Sequence, residues 1–472
     1  MNMQRDLAEF VVDYASKLGA SYAEARLEHS KTNGFLLKNG VPEMSGFAMV
    51  SGLGLRIIVN KGLGFASTNT LEKSKLKQLV KQAFKNTNAA SRIKEDINLA
   101  PDQPNKHRYE VKQRLKLDHV SPEEKIDILF ETEKRIKDSK IDVPMRFFTL
   151  NDSITTEYLV NSEGTMVEAT VPRISFMYII TTKNDQKTMQ RYWQYGNTGG
   201  FEFVKRWDIP TLILEEAKAC SENLKNAKKT PKKRMDVVVA PEVVGIMVHE
   251  SAGHPSEADR IFGREGAQAG ESFITEKMIG YQIGSEIVNI VDDPTLENSY
   301  GYYLFDNEGV KARRKFLIKD GKINEFLHNR QTAYKMGIKS NGSSRAVDYD
   351  KESIIRMSNT FLLPGDYKEE ELIKDVKEGV YIKNFMEWNI DDRRINQKYV
   401  GAESYFIKNG EIKWPLRNPT IEISTFNLWK AVDAIARNTE WHAGNCGKGE
   451  PMQAIPVWFG GPSMRLKNIM LK

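Results

Sequence analysis

The run Val237-Val238-Val239-Ala240-Pro241-Glu242-Val243-Val244-Gly245-Ile246-Met247-Val248-His249-Glu250-Ser251-Ala252-Gly253-His254-Pro255 carries the decisive pattern of this chain. The three valines read as a buried strand. Ala240-Pro241-Glu242 then opens a helix, with proline at an early position and an acid in the first turn. Val243, Val244, Ile246, Met247 and Val248 make that helix largely apolar, so it is expected inside the protein. Two histidines and a glutamate at its end need partners, because buried polar groups are costly when left alone. His249-Glu250-x-x-x-His254 is therefore a candidate metal site.

The spacing constrains its shape. Residues four apart on an α-helix differ in direction by about 40°, whereas residues five apart differ by about 140°. His249 and His254 can share one ion only if the winding changes between them. A π-type turn, or a break at Gly253, would bring them together. Pro255 also disfavours regular helix at His254. Glu250, next to the first histidine, is expected to act as a general base rather than a ligand. A third protein ligand is required of a catalytic zinc, and Glu257, Asp259, His328, His442 and Cys446 are the candidates. Cys446 lies in the glycine-rich Gly444-Asn445-Cys446-Gly447-Lys448-Gly449, read as a turn in which a thiolate can approach a metal. Cys220, in an ordinary helical stretch, is expected only to pack.

Upstream, Leu7, Phe10, Val11, Tyr14 and Leu18 mark an amphipathic helix, and Leu76, Leu79, Val80, Ala83 and Phe84 a second. Short strands lie between them, with Asn39-Gly40 as a hairpin turn. Gly52, Gly54, Gly62 and Gly64 lack the strand-turn-helix setting of a phosphate loop and read as glycines of a hairpin pair. Residues 96–110 suit a linker. Ser121-Pro122-Glu123-Glu124 predicts a capping box and a helix burying Ile126, Leu129, Phe130 and Ile136. Alternation then indicates strands from Met145 to Trp193. The basic stretch Lys225 to Arg234 reads as a solvated linker. Phe316 to Ile323 and Tyr405 to Ile412 echo each other as strand, Asx-Gly turn, strand.

The chain has 472 residues, 40% hydrophobic and 28% charged, with a formal net charge of +6. That length predicts two or three domains. The dispersed charge and the absence of a recognised binding module argue against a nucleic-acid partner. Two cysteines, and charges at Asp6, Glu9 and Asp13 where a signal peptide would be apolar, predict a cytoplasmic protein. No run of 18 apolar residues predicts a membrane span.

The motif His249 to His254, Asp292-Asp293-Pro294-Thr295, Asp306-x-Glu308-Gly309, Arg356 to Gly365 and the ending Cys446-Gly447-Lys448 together resemble the TldD/PmbA family, also called modulators of DNA gyrase. The likeness covers nearly the whole chain in order. It implies an α+β fold, with an N-terminal α/β region whose helices pack on a mostly antiparallel sheet. A β-rich C-terminal domain carrying the metal-site helix would follow. The expected boundaries are residues 1–100, 101–225 and 226–472. The resemblance also implies a zinc-dependent metallopeptidase of short or unfolded peptides, with His249, His254 and Cys446 as ligands and Glu250 as base. Dimers sheltering the site are implied, either with itself or with a PmbA-like paralogue. The alternatives are a catalytically inactive PmbA-like partner subunit and a nucleic-acid-associated regulator. Arg345 and Arg356, near turns, are candidates to hold a peptide carboxylate, although such arginines more often pair within a fold.

Overall fold

Asn39 and Gly40 take left-handed backbone, with φ of 51° and 83°, as the Asn-Gly turn requires. They join two strands, and the hairpin is the seed of the N-terminal sheet. The computed structural model describes residues 4–93, 96–185, 187–265 and 270–472. In chain order the elements are α1 (Arg5–Lys17), β1 (Tyr22–Lys38), β2 (Val41–Val59), β3 (Gly62–Thr68), α2 (Lys73–Ala90) and β4 (Lys106–Glu110). Then come α3 (Pro122–Asp138), β5 (Met145–Asn161), β6 (Met166–Asn184), β7 (Lys187–Thr198), α4 (Glu202–Trp207) and α5 (Ile209–Asn226).

Their strands form one sheet in the order β3-β2-β1-β5-β6-β4, with β7 also on β6. Every pairing is antiparallel except β4 on β6. The sheet draws strands from both sides of residue 100. Leu7 and Val11 of α1 and Leu76 and Val80 of α2 pack on Leu27, Leu55 and Ile57. The predicted capping box is formed: Glu124 N–H donates to Ser121 Oγ at 3.2 Å and Ser121 N–H to Glu124 Oε2 at 3.1 Å.

Three expectations are corrected. The early strands are long, 17 and 19 residues; Val41 to Val50 is exposed and so carries no alternation to read. The linker at 96–110 contains β4, an exposed edge strand with no buried face. Phe130 is exposed, because α3 turns Leu129 and Ile136 inward instead.

The C-terminal part contains β8 (Lys228–Lys229), β9 (Arg234–Val239), α6 (Pro241–Val248), α7 (Ala258–Ile261), β10 (Ile290–Asp292), β11 (Lys315–Lys319), β12 (Lys322–Ile323) and α8 (Arg330–Lys335). It continues through β13 (Ser344–Arg345), β14 (Ile354–Ile355), β15 (Asn359–Leu362), α9 (Glu369–Lys374), β16 (Glu378–Ile382), β17 (Phe385–Ile390) and β18 (Asn396–Gly401). It ends with β19 (Ser404–Lys408), β20 (Glu411–Arg417), β21 (Thr420–Ser424), α10 (Thr425–Ala431), β22 (Val432–Lys448) and β23 (Gln453–Met470). A mixed sheet runs β12-β11-β10-β15-β23-β9-β16-β19-β20-β8, with β22 on β23. The valine strand β9 lies between β23 and β16, which explains why all three valines are buried. The echoed hairpins β11–β12 and β19–β20 sit towards opposite ends of this sheet. Part of the basic stretch is β8, where Lys228 Nζ lies 4.0 Å from the Trp414 ring centroid.

The glycine-rich segment seats one part of the molecule on the other. A Cβ at Gly52 would lie 2.2 Å from the Tyr349 ring, and one at Gly54 2.2 Å from the Tyr349 carbonyl oxygen. Close by, buried Arg56 pairs with Glu24 at 2.9 Å and with Glu308 at 2.8 Å. The fold is α+β, and among the described residues no helix is long and apolar enough to cross a membrane.

Candidate metal centre

Helix α6 is buried along its whole length and starts with Pro241 at its first position. It then widens. His249 to Gly253 form a π-helical turn in which His254 N–H bonds back to the His249 carbonyl, five residues away. His254 to Ser256 tighten into a 3₁₀ turn. The wide turn brings the two imidazoles together, with ring centroids 4.8 Å apart and planes at 81°. Gly253 contributes differently from the expectation. Its φ of −64° and ψ of −67° are ordinary right-handed values, so dihedral freedom is not the reason for glycine. Space is the reason: a Cβ there would lie 2.0 Å from Met357 Sδ.

Cys446 completes the group. It lies within β22, opposite Ile455, rather than in the expected turn; the turn comes later, with Gly449 at φ 90°. Its Sγ is 3.3 Å from His254 Nε2. One ligand atom from each of His249, His254 and Cys446 lies within 4.8 Å of the others, and all three residues are buried. Burial alone would push the Cys446 thiol up, but the charges of His254 and Arg356 and the His254 hydrogen bond bring it down to about 7. Burial lowers His249, against the pull of Glu250 and Glu257, and favours the neutral imidazole that a metal requires. Among the described residues His249 Nδ1 is buried with no hydrogen-bond partner. Two imidazoles, a readily ionised thiol and an orphaned ring nitrogen fit a zinc-type donor set.

The other candidates for third ligand have different positions. Glu257 accepts from His254 Nδ1 at 3.0 Å and from Arg260 Nε at 2.6 Å. Burial would raise its carboxyl, but Lys448, Arg260 and His254 hold it well below the usual range. It is thus a carboxylate that orients a histidine. Asp259 accepts from Lys448 Nζ at 2.6 Å. His328 faces Thr332 Oγ1 at 3.0 Å. His442 Nδ1 accepts from Trp193 Nε1 at 3.1 Å, so it steadies that ring.

A cavity of about 260 Å³ opens onto His249, Glu250, His254 and Cys446 and is walled by Trp193, Trp388 and Phe459. Arg394 reaches into it, and its Nη1 is 2.5 Å from Glu250 Oε2. Burial raises the Glu250 carboxyl, yet His254, Arg394, His249 and a Trp388 hydrogen bond outweigh it and hold the group below its ordinary value. Arg345 and Arg356 do not line this cavity. Arg356, fully buried, donates to the carbonyls of Cys446 and Gln453. Arg345 donates to the carbonyls of Met357 at 2.7 Å and Pro456 at 2.9 Å. Both are committed within the fold, and Arg356 braces the strand that presents Cys446. Lys448 adds a second brace from that strand to Asp259 and to the Ile355 carbonyl.

Comparison with known proteins identifies the family. Residues 23–87, 115–224 and 232–472 match domain 1, the central domain and the C-terminal domain of the PmbA/TldA metallopeptidases. The chain belongs to the PmbA/TldD metallopeptidase family. It is 30% identical over 449 residues to a metalloprotease of Methanocaldococcus jannaschii, covering 94% of this chain and 95% of that one. It is 28% identical over 462 residues to the zinc metalloprotease TldD homolog of Saccharolobus solfataricus, covering 96% and 97%. TldE from Thermococcus kodakarensis has the same fold, with a TM-score of 0.77 and 16% identity over 98% of this chain and 99% of that one. Within the PmbA/TldD family setting, sequence reasoning missed Arg394 and Trp388, and it read Lys448 as part of a motif without its bracing role. Arg394 and Glu250 are 144 positions apart, and no local pattern joins them.

Proposed function

We propose that this PmbA/TldD protein is a zinc-dependent peptidase that hydrolyses short or unfolded peptides. His249, His254 and Cys446 would hold the metal and Glu250 would be the general base. The observation that carries the reading is the convergence of the three ligand atoms within 4.8 Å in a cavity that also contains Glu250. His249, His254 and Cys446 would hold a zinc ion, which would supply Lewis acidity for hydrolysis. Glu250 takes a proton from the attacking water and delivers it to the leaving amine. Arg394 keeps the carboxylate ionised and oriented beforehand. Glu257 fixes the ring of His254.

The substrate class follows from access. The site is buried, so a stably folded protein cannot reach it. Strand β22 pairs with β23 and, near its start, is bridged from Ala436 to Tyr367, whereas its residues 443–447 line the cavity. An extended peptide can add to that edge beside Cys446. The exposed Val41, Met44, Phe47 and Met49 on the β2 arm support association with a second copy or a PmbA-like paralogue. We place the protein in the cytoplasm on its sparse cysteines.

Metal analysis with a peptide-cleavage assay on the purified protein tests the reading. The expected result is one zinc per chain and cleavage of flexible peptides, with stably folded proteins spared. Absence of bound transition metal after zinc loading overturns it and favours an inactive partner subunit.

A further inference from the structure

A second cavity, of about 450 Å³, lies between the N-terminal sheet and the C-terminal part. Its size is within the range of small-ligand pockets. Asn445, next to Cys446 in the chain, lines both this cavity and the metal-site cavity. The charged groups of the second cavity are mostly committed. Arg173 donates to the carbonyls of Tyr300 and Tyr302, and Arg345 to those of Met357 and Pro456. Asp152 takes the ammonium of Lys125 at 2.7 Å. Asp306 accepts three backbone N–H groups.

Glu28 is the exception. It lies on β1 directly opposite Glu157 of β5, and like charges so placed repel. Glu157 is compensated by Asn307 at 2.7 Å and Arg26 at 3.5 Å. Glu28 is 6% exposed and lines the cavity, and among the described residues no donor reaches its carboxylate. We propose that this cavity is a subsite for a cationic nitrogen of the peptide, either its free α-amine or an arginine or lysine side chain, with Glu28 as counter-ion. The proposal rests on the peptidase reading for the source of the cation. An anionic group would meet the carboxyl groups of Glu28 and Glu157, while Arg173 and Arg345 of the lining already serve backbone carbonyls. A divalent cation would need six or more oxygen ligands, whereas one carboxylate is uncommitted here.

The electrostatics agree. Burial, then Glu157 and Asp348, push the Glu28 carboxyl up to about 8, while Arg26 and Arg173 pull the other way. Glu28 therefore holds a proton at neutral pH until a cation arrives. Entry of the cation favours the carboxylate, and the proton leaves.

The test uses zinc-loaded protein and a flexible N-acetylated peptide with one internal arginine, beside the same peptide with citrulline. A third peptide, citrulline with a free α-amine, separates the two sources of positive charge. Glu28→Gln should raise KM about tenfold for the cationic peptide without moving kcat. It should leave the acetylated citrulline peptide unchanged. An unchanged preference for cation in Glu28→Gln overturns the proposal, as does an equal loss for all three peptides. If no peptide is cleaved, the peptidase reading fails, and calorimetric binding of the same peptides still decides. Equal affinity of wild type for the acetylated arginine and citrulline peptides, with no preference for the free amine, overturns the proposal. If Glu28→Gln does not fold, calorimetry of wild type in buffers of different ionisation enthalpy decides. Proton release with cationic peptides only is expected, and none overturns the proposal.

Discussion

The two cysteines are both buried, yet their surroundings set them apart. Cys220 sits in α5, where burial and the Glu216 charge push its thiol up to about 12. Cys446 is buried as deeply, but His254 and Arg356 bring it down to about 7. Burial alone makes an inert cysteine; burial beside His254 and Arg356 makes one that ionises readily. The same contrast separates ordinary helix around Cys220 from the widened turn that faces Cys446.

Reactivity offers the sharpest way to break this comparison. In metal-free protein, alkylation of Cys446 should rise with pH to half-maximum near 7, since the thiolate forms above its pKa. Cys220 should stay protonated and unreactive through the neutral range. Equal pH midpoints, followed by peptide mapping, would erase the distinction. Next in size, Cys446→Ala should remove the zinc and with it peptide hydrolysis, while Cys220→Ala keeps both; elemental analysis of the two variants checks this. Glu250→Gln should retain zinc and lose at least ~10²-fold in kcat, and undiminished turnover would exclude Glu250 as the base. Glu257→Gln should weaken zinc affinity by roughly 10–100-fold, the usual cost of losing a ligand's orienting partner. Competition with a chromogenic chelator measures that. Gly253→Ala should have the smallest effect, destabilising by about 1–3 kcal/mol through crowding of Met357. Adding Met357→Ala should recover part of that in thermal melts. No recovery in the double variant would locate the crowding elsewhere.

Some of this is legible in the amino-acid sequence itself. The i, i+5 histidines demanded a change of winding, and the π turn at His249–Gly253 supplies it. The Ser121 capping box, the Asn39-Gly40 turn and the twin hairpins all follow from local chemistry. The role of Gly253 was legible only in position, because its constraint is Met357, 104 residues away in sequence. Among the five candidate third ligands, Cys446 became the favoured one only through the resemblance, since a glycine-rich stretch does not say which strand it will face. Arg394 and Trp388 carried no signal, and Lys448 only its place in the Cys446-Gly447-Lys448 ending, because their partners are brought by the sheet and not by the neighbouring residues. The exposed half of β2 and the edge strand β4 escaped notice for the opposite reason: with no buried face, they have no period.

The Arg56 pairings with Glu24 and Glu308 have a consequence for how the molecule comes apart. Glu308 also accepts the backbone N–H of Arg330 at 2.7 Å, so one carboxylate of the C-terminal part is tied at both oxygens. Pulling the N-terminal sheet away would strand Glu308 without its cation and leave Arg56 with only Glu24. Uncovering one side of such a buried pair is strongly unfavourable, so partial opening at this seam is suppressed. The two sheets should therefore melt in a single transition, and native-state hydrogen exchange should give their core amides a common opening free energy.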